Sequence, residues 1–500
     1  MRQDQHLHQT VVDVAIVGAG FGGLCAAIRL RESGVAQSLV ILERSHEVGG
    51  TWRDNIYPGC ACDVPSHLYS FSFAPNQQWT RPYPQQQEVQ DYILRVVENY
   101  ALRPIIRFNT EVAAMRWLAD QQCWQIDIAG QGASLLARHV VLATGPLNKP
   151  VIPDLQGLHS FTGQTFHSSH WRHDVELSGK RIAVVGTGAS AVQFVPEIAP
   201  GAAHVTVFQR TPAWVLPRWD KPYGGIKRWA YRNVPLLQRL SRWRVYWFNE
   251  FVGMGFMGSA AIQRMLKRLS NHHLRGQVSD RAMRQALTPN FNPGCKRLLI
   301  SNTWFPTLQR ANVQLVTQAV GAITPNGVVG ADGTVYACDV IIWGTGFKAT
   351  EFVAPMRIYG ATSDGAGEAD APELGAVWRS NPAASHLGIT VAGFPNLFLL
   401  VGPNTGLGHN SIIFMIECQV DYVVKALASL RDRKQSVLQL RADVQRDEYA
   451  AIQQKMKGTV WSSGCKSWYQ HADGRIDTLW PGYTWEYWLK TRRFGAEDYV

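Results

Sequence analysis

Two glycine-rich segments, far apart in the chain, constrain the fold of this 500-residue sequence more than any other feature. Gly18-Ala-Gly20-Phe-Gly-Gly23 and Gly186-Thr-Gly188-Ala-Ser-Ala191 each follow a short apolar run rich in β-branched residues, as a buried parallel strand requires. Strand, glycine-rich turn and helix together predict a dinucleotide-binding unit, in which the turn brings backbone amides up to a pyrophosphate. The sequence therefore predicts an α/β fold with two Rossmann-like dinucleotide-binding domains.

The first unit carries an acidic residue where such a fold needs one. The strand at 39–42 ends in Glu43, which lies 25 positions after Gly18. At this spacing a carboxylate reaches the ribose hydroxyls of an ADP group. The predicted contacts of the first nucleotide are Gly18, Gly20, Gly23 and Glu43.

The second unit carries a cation at the matching place. The strand at 205–208 is followed by Gln209-Arg210-Thr211, and Arg210 lies 24 positions after Gly186. A guanidinium binds a 2′-phosphate, which a carboxylate would repel, so NADP is predicted here in preference to NAD. A solvated surface arginine is the alternative interpretation of Arg210. The predicted contacts are Gly186, Gly188, Ser190, Arg210 and Thr211, the last two on the 2′-phosphate.

Two apolar runs that end in Thr-Gly, at 140–145 and 340–346, indicate where the chain passes between the two units. They predict a discontinuous outer domain with a second domain nested inside it. The predicted division is 1–150 with 347–500 for the first nucleotide domain, 151–216 with 289–346 for the second, and 217–288 as a helical insertion. Tryptophan and arginine alternate in this insertion; we expect its tryptophans to pack into a cleft, while RNA or membrane binding stays open.

Composition limits the location and the partners. The net charge of +11 favours an anionic partner without identifying it. The eight cysteines include no CxxC pair, which predicts free thiols in a reducing compartment. The N-terminus lacks an apolar signal core, and the uncharged stretch 380–416 is broken by prolines, asparagines and glycines. We therefore expect a cytoplasmic protein with no transmembrane segment. Because two nucleotide sites already use the positive charge, no nucleic-acid partner is expected, and peripheral membrane contact stays open.

Three further motifs narrow the family. Phe161-x-Gly163-x-x-x-His167-x-x-x-Trp171 resembles the fingerprint of type I Baeyer–Villiger monooxygenases, with Arg172 as a minor departure where Pro or Asp is usual. The resemblance extends over nearly the whole chain, to Ser467-Trp468-Tyr469 near its end. The other two matching motifs are Gly49-Gly50-x-Trp52-x-x-x-x-Tyr57-Pro58-Gly59-x-x-x-Asp63 and Asn290-Phe-Asn-Pro293-Gly294-Cys295-Lys296-Arg297.

The resemblance implies FAD in the first domain and NADPH in the second. It implies that O2 and a ketone are converted to an ester or lactone through a C4a-peroxyflavin and a tetrahedral adduct. Arg297 would be the catalytic cation that stabilises these anions, oriented by Asp63. Trp52 and Asp63 would lie towards the flavin, and Trp468 would reach the nicotinamide end. For His167, a hydrogen-bonding role between the domains is favoured over catalysis.

Three alternatives remain at this point. A flavin monooxygenase that oxygenates nitrogen or sulfur needs a protonated hydroperoxide, which Arg297 disfavours. A pyridine-nucleotide–disulfide reductase needs a cysteine pair at CxxC or CxxxxC spacing, which Cys60-Ala-Cys62 does not supply. A non-catalytic RNA- or membrane-binding protein would be built on the basic helical insertion.

Overall fold

A computed structural model describes residues 11–132, 134–362, 370–465, 467, 469–471 and 473–500. The strands in these ranges are β1 (Val12–Val17), β2 (Leu39–Leu42), β3 (Ile106–Arg107), β4 (Val112–Leu118), β5 (Cys123–Ile128), β6 (Ser134–Leu142), β7 (Gln164–His167), β8 (Arg181–Val185), β9 (His204–Phe208), β10 (Val215–Leu216), β11 (Leu299–Ile300), β12 (Val313–Val316), β13 (Val320–Thr324), β14 (Gly327–Gly330), β15 (Val335–Ala337), β16 (Val340–Trp343), β17 (Arg357–Tyr359) and β18 (Leu397–Leu399). The α-helices are α1 (Phe21–Ser33), α2 (Thr51–Asp54), α3 (Gln86–Asn99), α4 (Ala189–Ile198), α5 (Gly225–Asn233), α6 (Pro235–Phe256), α7 (Ala260–Gln277), α8 (Arg281–Ala286), α9 (Trp304–Leu308), α10 (Leu374–Ser380), α11 (Ile412–Asp432), α12 (Ala442–Met456) and α13 (Thr484–Thr491).

The first sheet has the strand order β17-β4-β5-β6-β1-β2-β3, and β18 also pairs with β6. From β6 to β3 neighbouring strands are parallel, whereas β4, β5 and β6 form an antiparallel meander. Val14, Ala15 and Ile16 of β1 are fully buried, as expected for a strand covered on both faces. Because β1 and β6 are parallel neighbours, the turn after β1 lies beside the end of β6.

The second sheet has the order β12-β9-β8-β16-β7, and every neighbouring pair in it is parallel. The two parallel sheets confirm the predicted fold class. The segment from Phe161 to Trp171, which suggests no secondary structure by its sequence pattern, contributes the edge strand β7. Its His167 pairs in register with Trp343 at the end of β16. The segment therefore belongs to the second sheet at the edge where that sheet's carboxyl ends meet.

The two predicted crossings between the sheets run side by side. The amide of Val151 donates to the carbonyl of Gly346 at 2.9 Å, and the amide of Lys348 donates to that of Lys149 at 2.9 Å. Strands of the first sheet come from 12–142 and 357–399, and those of the second from 164–343. This arrangement supports the nested division, while the domain boundaries themselves stay a prediction.

The segment 217–288 is helical as predicted, since it forms α5, α6, α7 and α8. The prediction that its tryptophans pack into a cleft is wrong: Trp229 and Trp243 are each 63% exposed, and Trp247 is 45% exposed. The reason is the orientation of α6, whose inner side carries mostly polar and small residues together with Phe256. Arg242, for example, donates to the carbonyls of His67 and Ser70 at 3.0 and 2.9 Å. Among the described helices none is both long and apolar enough to span a bilayer.

Candidate active site

The two glycine-rich turns are each pressed against the end of a neighbouring strand. Gly18 has a φ of +103°, and a Cβ there would lie 2.6 Å from the carbonyl oxygen of Ala143, just after β6. Gly186 has a φ of +107°, and a Cβ there would lie 2.4 Å from the oxygen of Gly344, just after β16. Only glycine fits these positions, because both the conformation and the space exclude a side chain. The turns leave the N-termini of α1 and α4, capped by Gly20 and Gly188, open to a ligand's phosphates.

Glu43 lies beside the first turn, as its spacing predicts. Its carboxylate is buried and accepts hydrogen bonds from the amides of Ala19 at 2.8 Å and Ser45 at 3.0 Å. Arg53 of α2 also donates to Glu43 at 3.0 Å. Sequence reasoning missed Arg53; its place between Trp52 and Tyr57 in the second motif was the available signal. The acid is thus held in a fixed position next to the turn, where a ribose would lie.

Arg210 lies after β9, is exposed, and is close to a second cation. Burial lowers the pKa of Lys296, and the positive charge of Arg210 lowers it further, so the two side chains lie near each other. Thr211 is near the second turn, since its carbonyl accepts from the hydroxyl of Thr187 at 3.4 Å. A 2′-phosphate bound between these two cations would offset the repulsion between them. Lys296 directly precedes Arg297 in the sequence, which gives no sign that it lies near Arg210.

The second motif joins the two nucleotide units. The hydroxyl of Tyr57 donates to Gln193 of α4 at 3.1 Å, and Ser190 also bonds to this hydroxyl. A Cβ on Gly59 would lie 2.8 Å from the carbonyl oxygen of Gln193, so close contact with α4 requires glycine there. Trp52, which is 8% exposed, donates from its indole to the hydroxyl of Tyr69 at 3.0 Å. The motif therefore fixes α4 against the first domain.

Arg297 and Asp63 form a two-pronged ion pair, although they are 234 residues apart. Nε of Arg297 lies 2.9 Å from Oδ2 of Asp63, and Nη2 lies 2.7 Å from each carboxylate oxygen. The side chains are 28% and 27% exposed respectively. Attraction by Asp63 raises the pKa of Arg297 against the opposing effect of burial, so the guanidinium is charged at every physiological pH. Nη1 points away from Asp63 and has only a 3.5 Å contact with the carbonyl of Leu407.

The segment that carries Arg297 is tied to the loop after α12. The indole of Trp461 donates to the carbonyl of Gly294 at 3.0 Å, and Tyr469 bonds to Arg297. Cys295 and Cys465 form a disulfide with a Cα–Cα distance of 6.3 Å. The prediction of free thiols holds for the other six cysteines, which are buried, and is wrong for this pair. A search for short cysteine spacings cannot find a bond between residues 170 positions apart.

His167 is buried at the carboxyl end of β7, close to Phe347 in the second crossing. It is 2% exposed, its Nδ1 is bonded to the amide and hydroxyl of Ser169 at 3.1 and 2.8 Å, and its ring contacts Phe347 at 5.6 Å. Burial, with a smaller effect from His170, lowers the pKa of His167 to about 4. The bonds to Ser169 stay within one segment, and His167 also bonds to the backbone of Gly346 at the second crossing. A hydrogen-bonding role between the domains stays a prediction.

Comparisons with known proteins identify the family to which this fold belongs. A family model described as flavin-binding monooxygenase-like matches residues 12–354. A Baeyer–Villiger monooxygenase of Pseudomonas aeruginosa is 44% identical over 97% of this chain and 90% of its own length. One of Streptomyces coelicolor is 42% identical over 100% of this chain and 94% of its own. The chain belongs to the flavin-binding monooxygenase-like family.

Solved structures of the same fold carry nucleotides. An oxidised steroid monooxygenase bound to NADP superposes with a TM-score of 0.84 and 29% identity, covering 97% of both chains. Cyclohexanone monooxygenase from Rhodococcus sp. Phi1 bound to NADP+ gives 0.84 and 26%, again over 97% of both chains. For this family member, the two glycine turns, buried Glu43 and the Arg210–Lys296 pair are a donor set that fits two dinucleotides. Trp468, predicted at the nicotinamide end, lies outside the described residues.

Proposed function

We propose that this chain is an NADPH- and O2-dependent, FAD-containing Baeyer–Villiger monooxygenase that converts a ketone to an ester or lactone. The observation that carries the proposal is the Arg297–Asp63 ion pair, which presents one fixed, fully charged guanidinium with its Nη1 edge directed away from the partner carboxylate. When bound and reduced, FAD would activate O2 so that one oxygen atom of O2 can be transferred to the substrate.

The cofactors are held by the residues that surround the two turns. Gly18, Gly20 and Gly23 would leave room for the FAD pyrophosphate, and Glu43 would accept from its ribose hydroxyls. Trp52 and Asp63 lie on the flavin side of this domain. For NADPH, the turn at 186–190 takes the pyrophosphate. Ser190 lies at the start of α4, while Thr211, Arg210 and Lys296 bind the 2′-phosphate.

Arg297 stabilises negative charge that develops on oxygen during the transfer. An arginine suits this task because it stays charged when water is partly excluded and offers several donors in a rigid plane. Asp63 holds the edge formed by Nε and Nη2, so the direction of Nη1 is fixed before any substrate arrives. Tyr469 and the Cys295–Cys465 bond restrain the same segment from the other side.

A family member that oxygenates nitrogen or sulfur is the second candidate. Soft nucleophiles need the protonated oxygen donor, and a charged guanidinium opposes protonation, so the ion pair favours ketones. The test incubates purified, yellow protein with NADPH, air and a panel of ketones, amines and thioethers, and measures products by gas chromatography and mass spectrometry. Ester formation is expected; products only from amines or thioethers would overturn the proposal.

NADPH preference is tested separately. Arg210→Ala and Lys296→Ala should each raise KM for NADPH at least tenfold more than KM for NADH, because only NADPH carries the 2′-phosphate; tenfold corresponds to about 1.4 kcal/mol, near the value of one charge-assisted hydrogen bond. Equal effects on both nucleotides would contradict the assignment.

A cytoplasmic location is part of the proposal. The six free thiols support this location, and the Cys295–Cys465 bond opposes it.

A further inference from the structure

Helix α6 presents a continuous apolar stripe to solvent, which we call the outer face of α6. It consists of Leu236, Leu240, Trp243, Trp247, Phe251 and Met254, spaced at three or four residues as on one side of a helix. Trp243 is 63% exposed, Leu236 61% and Leu240 53%. Helix α5 adds Ile226 and Trp229, which are 87% and 63% exposed. Contiguous apolar surface of this extent marks an interaction site.

The opposite side of α6 is firmly attached to the protein, so the outer face is truly external. Gln238 donates to the carbonyl of Asn76 at 2.5 Å, and buried Glu250 accepts from the hydroxyl of Thr484 at 2.6 Å. A Cβ on Gly253 would lie 2.6 Å from the ring of His409, so this side of the helix packs closely. Rotating α6 to bury its tryptophans would break all of these contacts.

Helices α5, α6 and α7 carry positive charge almost exclusively. Between residues 221 and 279 the sequence contains eleven Lys or Arg and one acidic residue, Glu250, which is 3% exposed. Lys227, Arg228 and Arg232 on α5 and Arg239 and Arg244 on α6 are exposed. Apart from the buried Glu250, the segment therefore offers only positive charge to an incoming partner.

Helix α13 is attached to α6 through the buried side of α6 and has exposed apolar side chains of its own. Its Thr484 is bonded to Glu250 and, at 3.0 Å, to the hydroxyl of Tyr246, both on α6. Trp488 and Leu489 of α13 are 44% and 46% exposed, and the guanidinium of Arg492 lies 5.0 Å from the ring of Trp488. Aromatic, aliphatic and cationic side chains are thus mixed here as on α6.

We propose that the outer face of α6, with α5, docks on an anionic lipid bilayer, with α6 lying along the interface between headgroups and acyl chains. Aliphatic and Trp side chains enter such an interface, and flanking Lys and Arg attract anionic headgroups. A second copy of this chain is disfavoured because the same basic surface would face itself. Nucleic acid would use the cations and the tryptophan rings but leave Leu236, Leu240 and Ile226 without a partner. The docking is independent of the proposed reaction.

The test measures co-sedimentation of the purified flavoprotein with phosphatidylcholine vesicles, with and without phosphatidylglycerol. Binding should be at least tenfold stronger to the anionic vesicles. Since one basic residue near an anionic surface strengthens binding about fivefold, Arg239→Glu with Arg244→Glu should weaken it by about 25-fold or more. Trp243→Gln with Trp247→Gln should weaken it at least tenfold. All of these positions are exposed, so flavin content and turnover of a water-soluble ketone should not change.

Matched controls separate this surface from general attraction. Arg431→Glu with Arg446→Glu makes the same change of net charge at exposed sites outside the insertion, and Val335→Gln removes an exposed apolar side chain. These controls should bind vesicles as the parent does. Equal loss in the controls, or no vesicle binding, would overturn the proposal. So would a dimer in solution that Trp243→Gln with Trp247→Gln dissociates, or RNA binding without vesicle binding.

Discussion

Replacing Arg297 by lysine tests the central feature of the site, because it keeps the positive charge and removes the rigid fork. Arg297 contacts Asp63 through two nitrogens at 2.7–2.9 Å and directs a third away from it. A lysine ammonium is one point charge: once it reaches Asp63, it leaves no fixed donor on the far side. Loss of one preorganised donor costs about 10²- to 10³-fold in kcat, or about 3–4 kcal/mol.

We therefore expect Arg297→Lys to lower kcat for ester formation by about 10²- to 10³-fold and Arg297→Ala at least as much. Ester would be measured by gas chromatography alongside NADPH oxidation and flavin content, so that loss of cofactor is distinguished from loss of oxygen transfer. Asp63→Asn leaves the cation in place but loosens its orientation, and a smaller fall is expected.

The matched control is Arg181→Lys. Arg181 also forms a two-pronged pair, with Asp339 at 2.7 and 3.3 Å, but at the end of β8 remote from the glycine turn. Activity should be unchanged in this variant. Full ester-forming activity in Arg297→Ala would refute the assignment, and a fall in Arg181→Lys equal to that in Arg297→Lys would show that the loss reflects general destabilisation.

Three further predictions rest on the first glycine turn, on His167 and on the disulfide. Gly23→Ala should give colourless protein, because its Cβ would lie 1.9 Å from a carbonyl oxygen within the first turn; absorbance of bound flavin checks this. The pKa of His167 is about 4 when folded, against an ordinary value near 6.5, so the unfolded chain binds more protons between these values and stability falls as pH drops from about 6.5 to about 4. Urea unfolding should show a loss of up to about 3 kcal/mol in the free energy of unfolding over this pH range, and a smaller loss in His167→Gln. A non-reducing peptide map should recover Cys295 linked to Cys465, and labelling of both as free thiols would contradict the bond.

The nucleotide-binding units were predictable because their signals are local. A strand, a turn that excludes side chains and a helix are specified within about 30 consecutive residues, and Glu43 follows at a spacing set by one βαβ unit. The helical character of 217–288 was also readable from its pattern. The direction of its tryptophans was not: an amphipathic helix shows which residues share a face, but not which face the rest of the protein covers.

What the sequence determined by itself was the pair of dinucleotide folds and the presence of Arg297 and Asp63, while the phosphate contacts stay predictions. Only the tertiary structure brought Asp63 to Arg297 and Cys295 to Cys465, and Arg210 close enough to Lys296 to lower its pKa, since each pair joins segments that are 86 or more residues apart. Local propensity carries no information about such pairs. The distances within these pairs depend on how the two sheets and the insertion pack together. That packing is driven by the burial of apolar surface along the whole chain.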